Sequence, residues 1–386
     1  MRRKIMALNL LAVSIVALLA AAPVHGGSRS WESSISYVRV PAFEPPDTLV
    51  YDNSTFTDGP PNASNNHKRW VSIKPESGGS GNRPWPNGIV KYCFERRTWP
   101  IDDQVKTTKQ ILFDDLQTAR DLWYGAGLPQ DKFGWEEMSE ADCKDKNKRH
   151  EFVLISYNTD GILKTTPGVP PYRASGVGPI MVLSDTIQHG MLDVVSNYAH
   201  EMGHAWGLQH EHQNPAFWDL ESTTSGAVFT TANWHCNMLS DYQAKMDKIA
   251  NEESPGAAAR QMAAACKNRG PAYLMTFQSA EYLPFEPREI MASSKHKTDI
   301  DWDSIMLYPS RAGGVVVNGE RQPVLTKPNG EEIPINRTPS PRDVKGLQYL
   351  YNYDPDSSFR PFGDIRSRLK NKFKTIRRKD PDSDCN

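Results

Sequence analysis

An unbroken stretch, His200-Glu201-Met202-Gly203-His204-Ala205-Trp206-Gly207-Leu208-Gln209-His210, narrows what this chain can fold into more than any other. As a helix it stacks His200 and His204 on one face, one turn above the other. Glu201 then lies on the rim of that face, within reach of a water on a metal the histidines share. Gly207 suits a chain that leaves the helix abruptly, since glycine takes a left-handed cap without steric cost. That turn brings His210 round as a third nitrogen ligand. Three protein ligands with an open position are the arrangement of a catalytic zinc, whereas a structural zinc is closed by four. The pattern predicts a single zinc (Zn2+) on His200, His204 and His210, with Glu201 as the general base.

A second stretch, Asp301-Trp302-Asp303-Ser304-Ile305-Met306-Leu307-Tyr308, supplies a methionine-bearing turn downstream. With Tyr308 two residues past Met306, and Glu211 directly after the third histidine, the set resembles the astacin family of metzincin zinc endopeptidases. Trp85-Pro86-Asn87-Gly88-Ile89 resembles the start of that family's catalytic domain. Ser340-Pro341-Arg342-Asp343, leading into an apolar face that ends at Tyr351, resembles its last helix. The resemblance implies an α+β, two-lobed metzincin zinc-peptidase fold: an N-terminal mixed sheet with helices, the active-site helix at the cleft, and an irregular C-terminal lobe. It also implies that Tyr308 ligates zinc at rest and swings out to hold the oxyanion, making it catalytic beside Glu201. Met306 becomes the apolar floor of the metal, and Glu211 the anchor of the mature N-terminus. Residues 180–184 become the sheet edge that takes up substrate by strand addition or, read from the residues alone, an ordinary core strand.

The chain also departs from that family. Leu307 stands where astacins usually have His, and Gln213-Asn214-Pro215-Ala216-Phe217-Trp218-Asp219 replaces an Arg- and Asp-rich stretch. The family's cysteine after the last tyrosine and its partner in the first long helix are both missing. That disulfide framework is therefore not transferable.

Other features set the compartment and the domain plan. Arg2, Arg3 and Lys4, an apolar run from Ile5 to Ala22 and the small-residue exit at Val24-His25-Gly26 read as a signal peptide over 1–26. Residues 27–69 are rich in Pro, Asn, Ser and Asp, lack periodicity and close on the dibasic pair Lys68-Arg69, which marks a propeptide and a zymogen. Within it, Phe56-Thr57-Asp58-Gly59 has, in a changed order, the residue types of the astacin latency segment, and the resemblance makes Asp58 the candidate for the propeptide aspartate that occupies the zinc's open position there. The metallopeptidase domain then spans 70–355, interrupted by an insertion at about 220–297, and 356–386 reads as a mobile tail.

Secretion permits disulfides. The chain has five cysteines, an odd number. Cys236 and Cys266 sit at the outer ends of two helical segments of the insertion, near Met238–Ala250 and Ala257–Lys267. Pairing them leaves Cys93–Cys143 as the second bridge and Cys385 over. Asn53, Asn62 and Asn336 fit the glycosylation sequon.

Val105 to Tyr124 carries apolar residues at helical spacing, and the zinc helix is expected from near Leu192 to Trp206, with Leu192, Val195, Ala199 and Met202 as its core stripe. A net charge of −1 implies neither a nucleic-acid nor a membrane-surface partner. The expected function is a secreted, extracellular zinc-dependent endopeptidase acting on protein or peptide substrates, with no stable membrane association after signal cleavage. The competing reading is a secreted non-catalytic zinc-containing binding protein, against which the intact Glu201 argues. Cleavage preference, oligomeric state and the job of the insertion are not readable from the sequence.

Overall fold

The computed structural model of the protein describes residues 37–38, 51–52, 71–73, 82–171, 178–221, 226–287, 290–292 and 299–352. The signal segment, Asp58, Lys68-Arg69, Trp70, Asn53, Asn62, Cys385 and the tail lie outside them. Of residues 27–69, the described part is a short antiparallel pair, β1 (Tyr37–Val38) with β2 (Tyr51–Asp52).

The architecture is mixed α+β. A five-stranded sheet has the order β7-β4-β8-β10-β9, built from β4 (Ile89–Phe94), β7 (Gly134–Glu137), β8 (Val153–Tyr157), β9 (Lys164–Thr165) and β10 (Ile180–Leu183). The first four in that order run parallel, and β9 closes one edge antiparallel to β10. β8 is buried along its whole length, as a central strand covered on both faces requires. The β5–β6 hairpin (Thr98–Ile101, Gln104–Thr107) leads into helix α1 (Thr108–Gly125).

α1 starts on a reciprocal capping box between Thr107 and Gln110, and its Leu112, Leu116, Ala119 and Trp123 are buried. Trp123 donates its indole N–H to the Ala199 carbonyl, 2.8 Å away, pinning α1 to the histidine-bearing helix. Val105, which the periodicity assigns to this helix, instead sits in β6 and is exposed.

That second helix, α3 (Val194–Trp206), begins later than the apolar pattern implies. Asp193 is the N-cap, its carboxylate accepting from the Ser196 N–H at 2.8 Å. Leu192 lies outside the helix in a left-handed conformation (φ 53°), with its side chain half exposed, so it is not part of the core stripe. Every residue from Ser196 to Trp206 is buried, because the helix is enclosed on all sides rather than on one stripe.

The expected substrate edge is also corrected. Met181 and Val182 pair with Thr165 and Lys164 of β9, and the Thr166 N–H donates to Ile180. The chain's own strand takes the edge that 180–184 was to offer.

The insertion is not an appendage. Short α2 (Glu140–Lys144) carries Cys143, bonded to Cys93 of β4, and Cys236–Cys266 clips the inserted segment, so both expected bridges form. β11 (Trp218–Asp219) pairs with β12 (Phe229–Thr230), followed by α4 (Tyr242–Glu252), α5 (Pro255–Ala265) and α6 (Arg269–Leu274). Ser254-Pro255 starts α5: Ser254 caps the Ala257 N–H and Pro255 fills the first turn. β13 (Ile290–Ala292) returns onto β3 (Val71–Ile73). After the exposed hairpin β14–β15 (Val316–Val317, Glu320–Arg321), α7 (Pro341–Leu350) ends the described fold.

One continuous cluster of buried apolar side chains runs from Ile73 to Tyr351 and includes Phe277, Tyr282 and Leu283 of the insertion. No helix among the described residues is long and apolar enough to cross a membrane.

Candidate metal centre

α3 delivers His200 and His204 on adjacent turns, and the cap that follows delivers His210. Gly207 takes φ 108°, ends the helix and lets its own N–H reach back to Gly203 and His204. It is also a point of close approach: a Cβ there would meet Ile73 Cδ1 at 2.9 Å and Leu350 Cδ2 at 3.0 Å. The residues after it are held as a strand against β3, with Gln209 N–H on Val71 O and Ile73 N–H on Gly207 O, both 2.9 Å.

The three Nε2 atoms converge. His204 Nε2 is 3.2 Å from His200 Nε2 and 3.1 Å from His210 Nε2. Tetrahedral ligands at a zinc–nitrogen distance of ~2.0–2.1 Å lie roughly 3.3 Å from one another. Each ring's other nitrogen faces an oxygen that can only accept: His200 Nδ1 on Ile305 O at 2.7 Å, His204 Nδ1 on Leu208 O at 2.8 Å and His210 Nδ1 on Gln213 Oε1 at 2.9 Å. Each Nδ1 therefore carries the proton and donates, which leaves each Nε2 with its lone pair directed inward. Three lone pairs this close repel unless a cation sits between them. The donor set fits zinc, and it is the only such His, Cys, Asp or Glu group among the described residues.

Around this set the structure places the other residues singled out in the sequence. Glu201, beside His200 in α3, is fully buried. Met306 lies beneath the helix, where a Cβ on Gly203 would meet its sulfur at 2.6 Å, so this glycine is what lets the methionine close up. Tyr308 is buried, its ring 4.4 Å from that of His210 and 4.7 Å from that of His212. Glu211 is buried too: its N–H donates to Met306 O, and its Oε1 accepts from the Asp301 N–H at 3.0 Å. Burial pushes its pKa up to about 8.

The methionine-bearing turn is tied down from α7. Asp343 accepts from Ser304 Oγ–H at 2.6 Å and from the Ile305 N–H at 2.9 Å, while also completing the capping box with Ser340. Asn336 donates both amide protons, to Trp302 O at 2.8 Å and to Ser304 O at 2.9 Å. A sequon asparagine here acts as a clamp on the turn.

Several residues of the site carry no sequence signal strong enough to find them. Gln213 is one, Asp343 acts outside its capping role, and Tyr282 packs edge-on against Tyr308 at 5.3 Å. His212 had one weak signal, its spacing two residues after His210. Its ring stacks on that of His210 at 5.2 Å, and its Nε2 bonds to Glu281 O at 3.0 Å.

No protein-family model matches the chain, and no curated protein matches it. Among solved structures, it is similar to high choriolytic enzyme 1, a hatching-enzyme zinc-protease from the medaka fish Oryzias latipes. That likeness has a TM-score of 0.40 and 13% identity, over 73% of this chain and 100% of the other. It is also similar to myroilysin, with a TM-score of 0.36 and 13% identity, over 71% of this chain and 97% of that one.

Proposed function

We propose that this chain is a secreted zinc-dependent endopeptidase that hydrolyses peptide bonds of protein substrates. The observation that carries the reading is the convergence of three histidines, His204 Nε2 lying 3.2 Å from His200 Nε2 and 3.1 Å from His210 Nε2, each with its Nδ1 committed to an oxygen, next to the buried carboxylate of Glu201. His200, His204 and His210 would hold the metal. Zinc bound there supplies acidification of water to a pKa of about 7 and polarisation of a carbonyl oxygen.

Glu201 accepts the proton of the attacking water and passes it to the leaving amine. Its burial keeps that exchange away from bulk solvent. Tyr308, whose ring packs tilted beside that of His210, donates a hydrogen bond from its hydroxyl to the oxyanion that forms on the substrate. Met306 gives the histidines an apolar floor and takes no proton. Val71 O accepts from Gln209 N–H, so the segment that follows Lys68-Arg69 is already built against the third-ligand turn. This supports Glu211 as the anchor for an N-terminus released at the dibasic pair, and residues 27–69 as the propeptide.

The test is zinc content and casein cleavage by the secreted protein after removal of the leader, beside Glu201→Ala. Cleavage falling by about 10²–10⁴-fold or more, with zinc content unchanged, is the expected result. Zinc in both proteins with cleavage in neither would replace the enzyme by a non-catalytic zinc-containing binding protein.

A further inference from the structure

Among its contacts with the metal centre, the insertion grips one amide, that of Gln213. We propose that Gln213 is a positioning residue: the 278–283 turn of the insertion holds its side chain so that its carbonyl fixes the ring of His210 for metal binding. This rests on His200, His204 and His210 being the metal ligands.

Gln213 is 2% exposed, and each end of its amide has a partner. Nε2 lies 3.4 Å from Ala280 O and 3.2 Å from Leu283 O, two atoms that only accept, so this end must be the NH2. The other end is then a carbonyl oxygen, 2.9 Å from His210 Nδ1. A carbonyl there obliges His210 to carry its proton on Nδ1 and to present Nε2 unprotonated. The main chain enforces the same placement, with the Phe285 N–H on Gln213 O at 3.1 Å.

The turn that grips Gln213 is itself fixed. Ser279 Oγ–H donates to Ala265 O at 2.7 Å, Arg269 Nε–H donates to Ala280 O at 3.2 Å, and His212 bonds to Glu281 O. Ala265 ends α5, directly before Cys266 of the insertion's disulfide. Disulfide, α5, turn, glutamine and histidine form one connected series. His200 and His204 take their Nδ1 acceptors from the main chain near α3 and the methionine turn. His210 alone of the three depends on a side chain that another segment must orient.

The experiment uses the full chain, stripped of metal and titrated with zinc against a chromophoric chelator, with long-range 1H–15N spectra of the histidine rings in the loaded protein. Gln213→Leu is expected to bind zinc about 10–100-fold more weakly. It should also lose the slowly exchanging Nδ1 proton of His210, while those of His200 and His204 persist. Ser279→Ala, which loosens the turn, should weaken zinc severalfold in the wild-type background and add nothing in Gln213→Leu. Wild-type affinity with the His210 Nδ1 proton intact in Gln213→Leu overturns the proposal, as do losses that simply add. Should Gln213→Leu fail to fold, Ser279→Ala decides: faster exchange at His210 alone supports the proposal, and unchanged exchange overturns it. A wild-type chain that takes up no zinc fails the site reading itself, a result distinct from all of these.

Discussion

Two walls enclose the candidate metal centre, and they are built on different principles. One is α3 with the methionine turn, where local geometry does most of the placing. Helical spacing sets His200 against His204, Gly207 turns the chain, and Gly203 admits Met306. The other wall is the inserted segment around Phe277–Phe285, which reaches the site only by long-range contacts: Gln213 to Ala280 and Leu283, His212 to Glu281, and Tyr282 against Tyr308. The first wall depends on residue identity at fixed spacing, so single substitutions should break it sharply. The second depends on a backbone trace held by a disulfide and buried polar contacts, so it should respond to changes far from the metal.

The largest expected effect separating the walls comes from the disulfides. Cys236 and Cys266 are 30 residues apart, and Cys93 and Cys143 are 50 apart. Replacing either pair by serine is expected to cost about 4 kcal/mol through loop entropy, with less than about 0.5 kcal/mol between them. Thermal unfolding measures that loss. Zinc affinity is the sharper readout, since only the Cys236–Cys266 replacement should weaken it. Equal zinc loss from both would erase the distinction between the walls.

Gly207→Ala comes next, at about 2–4 kcal/mol. A left-handed backbone costs an L-residue about 1–2 kcal/mol, and the new Cβ must displace Ile73 or Leu350. Denaturant titration gives the number. A loss under about 1 kcal/mol would mean that β3 and α7 yield at this point and that the first wall is not rigid.

Asp241, in the insertion, is buried, and burial pushes its pKa up to about 6 from 3.8. Its folded form therefore holds a proton that the unfolded chain has released, and this contribution to stability falls as pH rises from about 4 to 6. Asp241→Asn keeps an oxygen for the Gln278 N–H and removes the charge. The variant should be more stable at pH 7 by on the order of 1–3 kcal/mol, with a flatter profile over that window. A parallel profile in both proteins would show that the carboxyl is solvated in solution.

The smallest effect concerns Asn336, whose amide protons both serve the methionine turn. Protein expressed through a eukaryotic secretory pathway is expected to carry no glycan at this sequon, and Asn336→Ala is expected to cost about 1–2 kcal/mol. Peptide mapping by mass spectrometry settles the first point. A glycan found there would mean that the turn is held by Asp343 without the asparagine.

Much of the first wall is legible in the sequence by itself. His200, His204 and His210 come together as their spacing implies, because a helix and a glycine cap are local structures set by residues a few positions apart. Ser340 and Asp343 form the capping box that their order announces. The Cys236–Cys266 bridge follows from where its cysteines sit relative to helical segments, and Cys93–Cys143 from what that pairing leaves over. Boundaries were less secure: the apolar pattern extends α3 back to Leu192, whereas the Asp193 cap starts it at Val194 and leaves Leu192 in solvent. Periodicity registers apolar side chains but not the hydrogen bond that begins a helix.

Tertiary structure alone decided the rest. That β9 covers β10, so that residues 180–184 offer no free edge there, depends on a return of the chain that no short-range pattern encodes. That Asp343 holds Ile305 and that the inserted segment grips Gln213, turning it toward His210, are matters of contacts spanning tens of residues. Sequence specifies which groups can ligate, cap or turn, because those properties reside in single residues and their near neighbours. The acceptor that the second nitrogen of His200 finds, Ile305 O, arrives only when a distant segment packs into the core, where a buried donor left without an acceptor costs free energy.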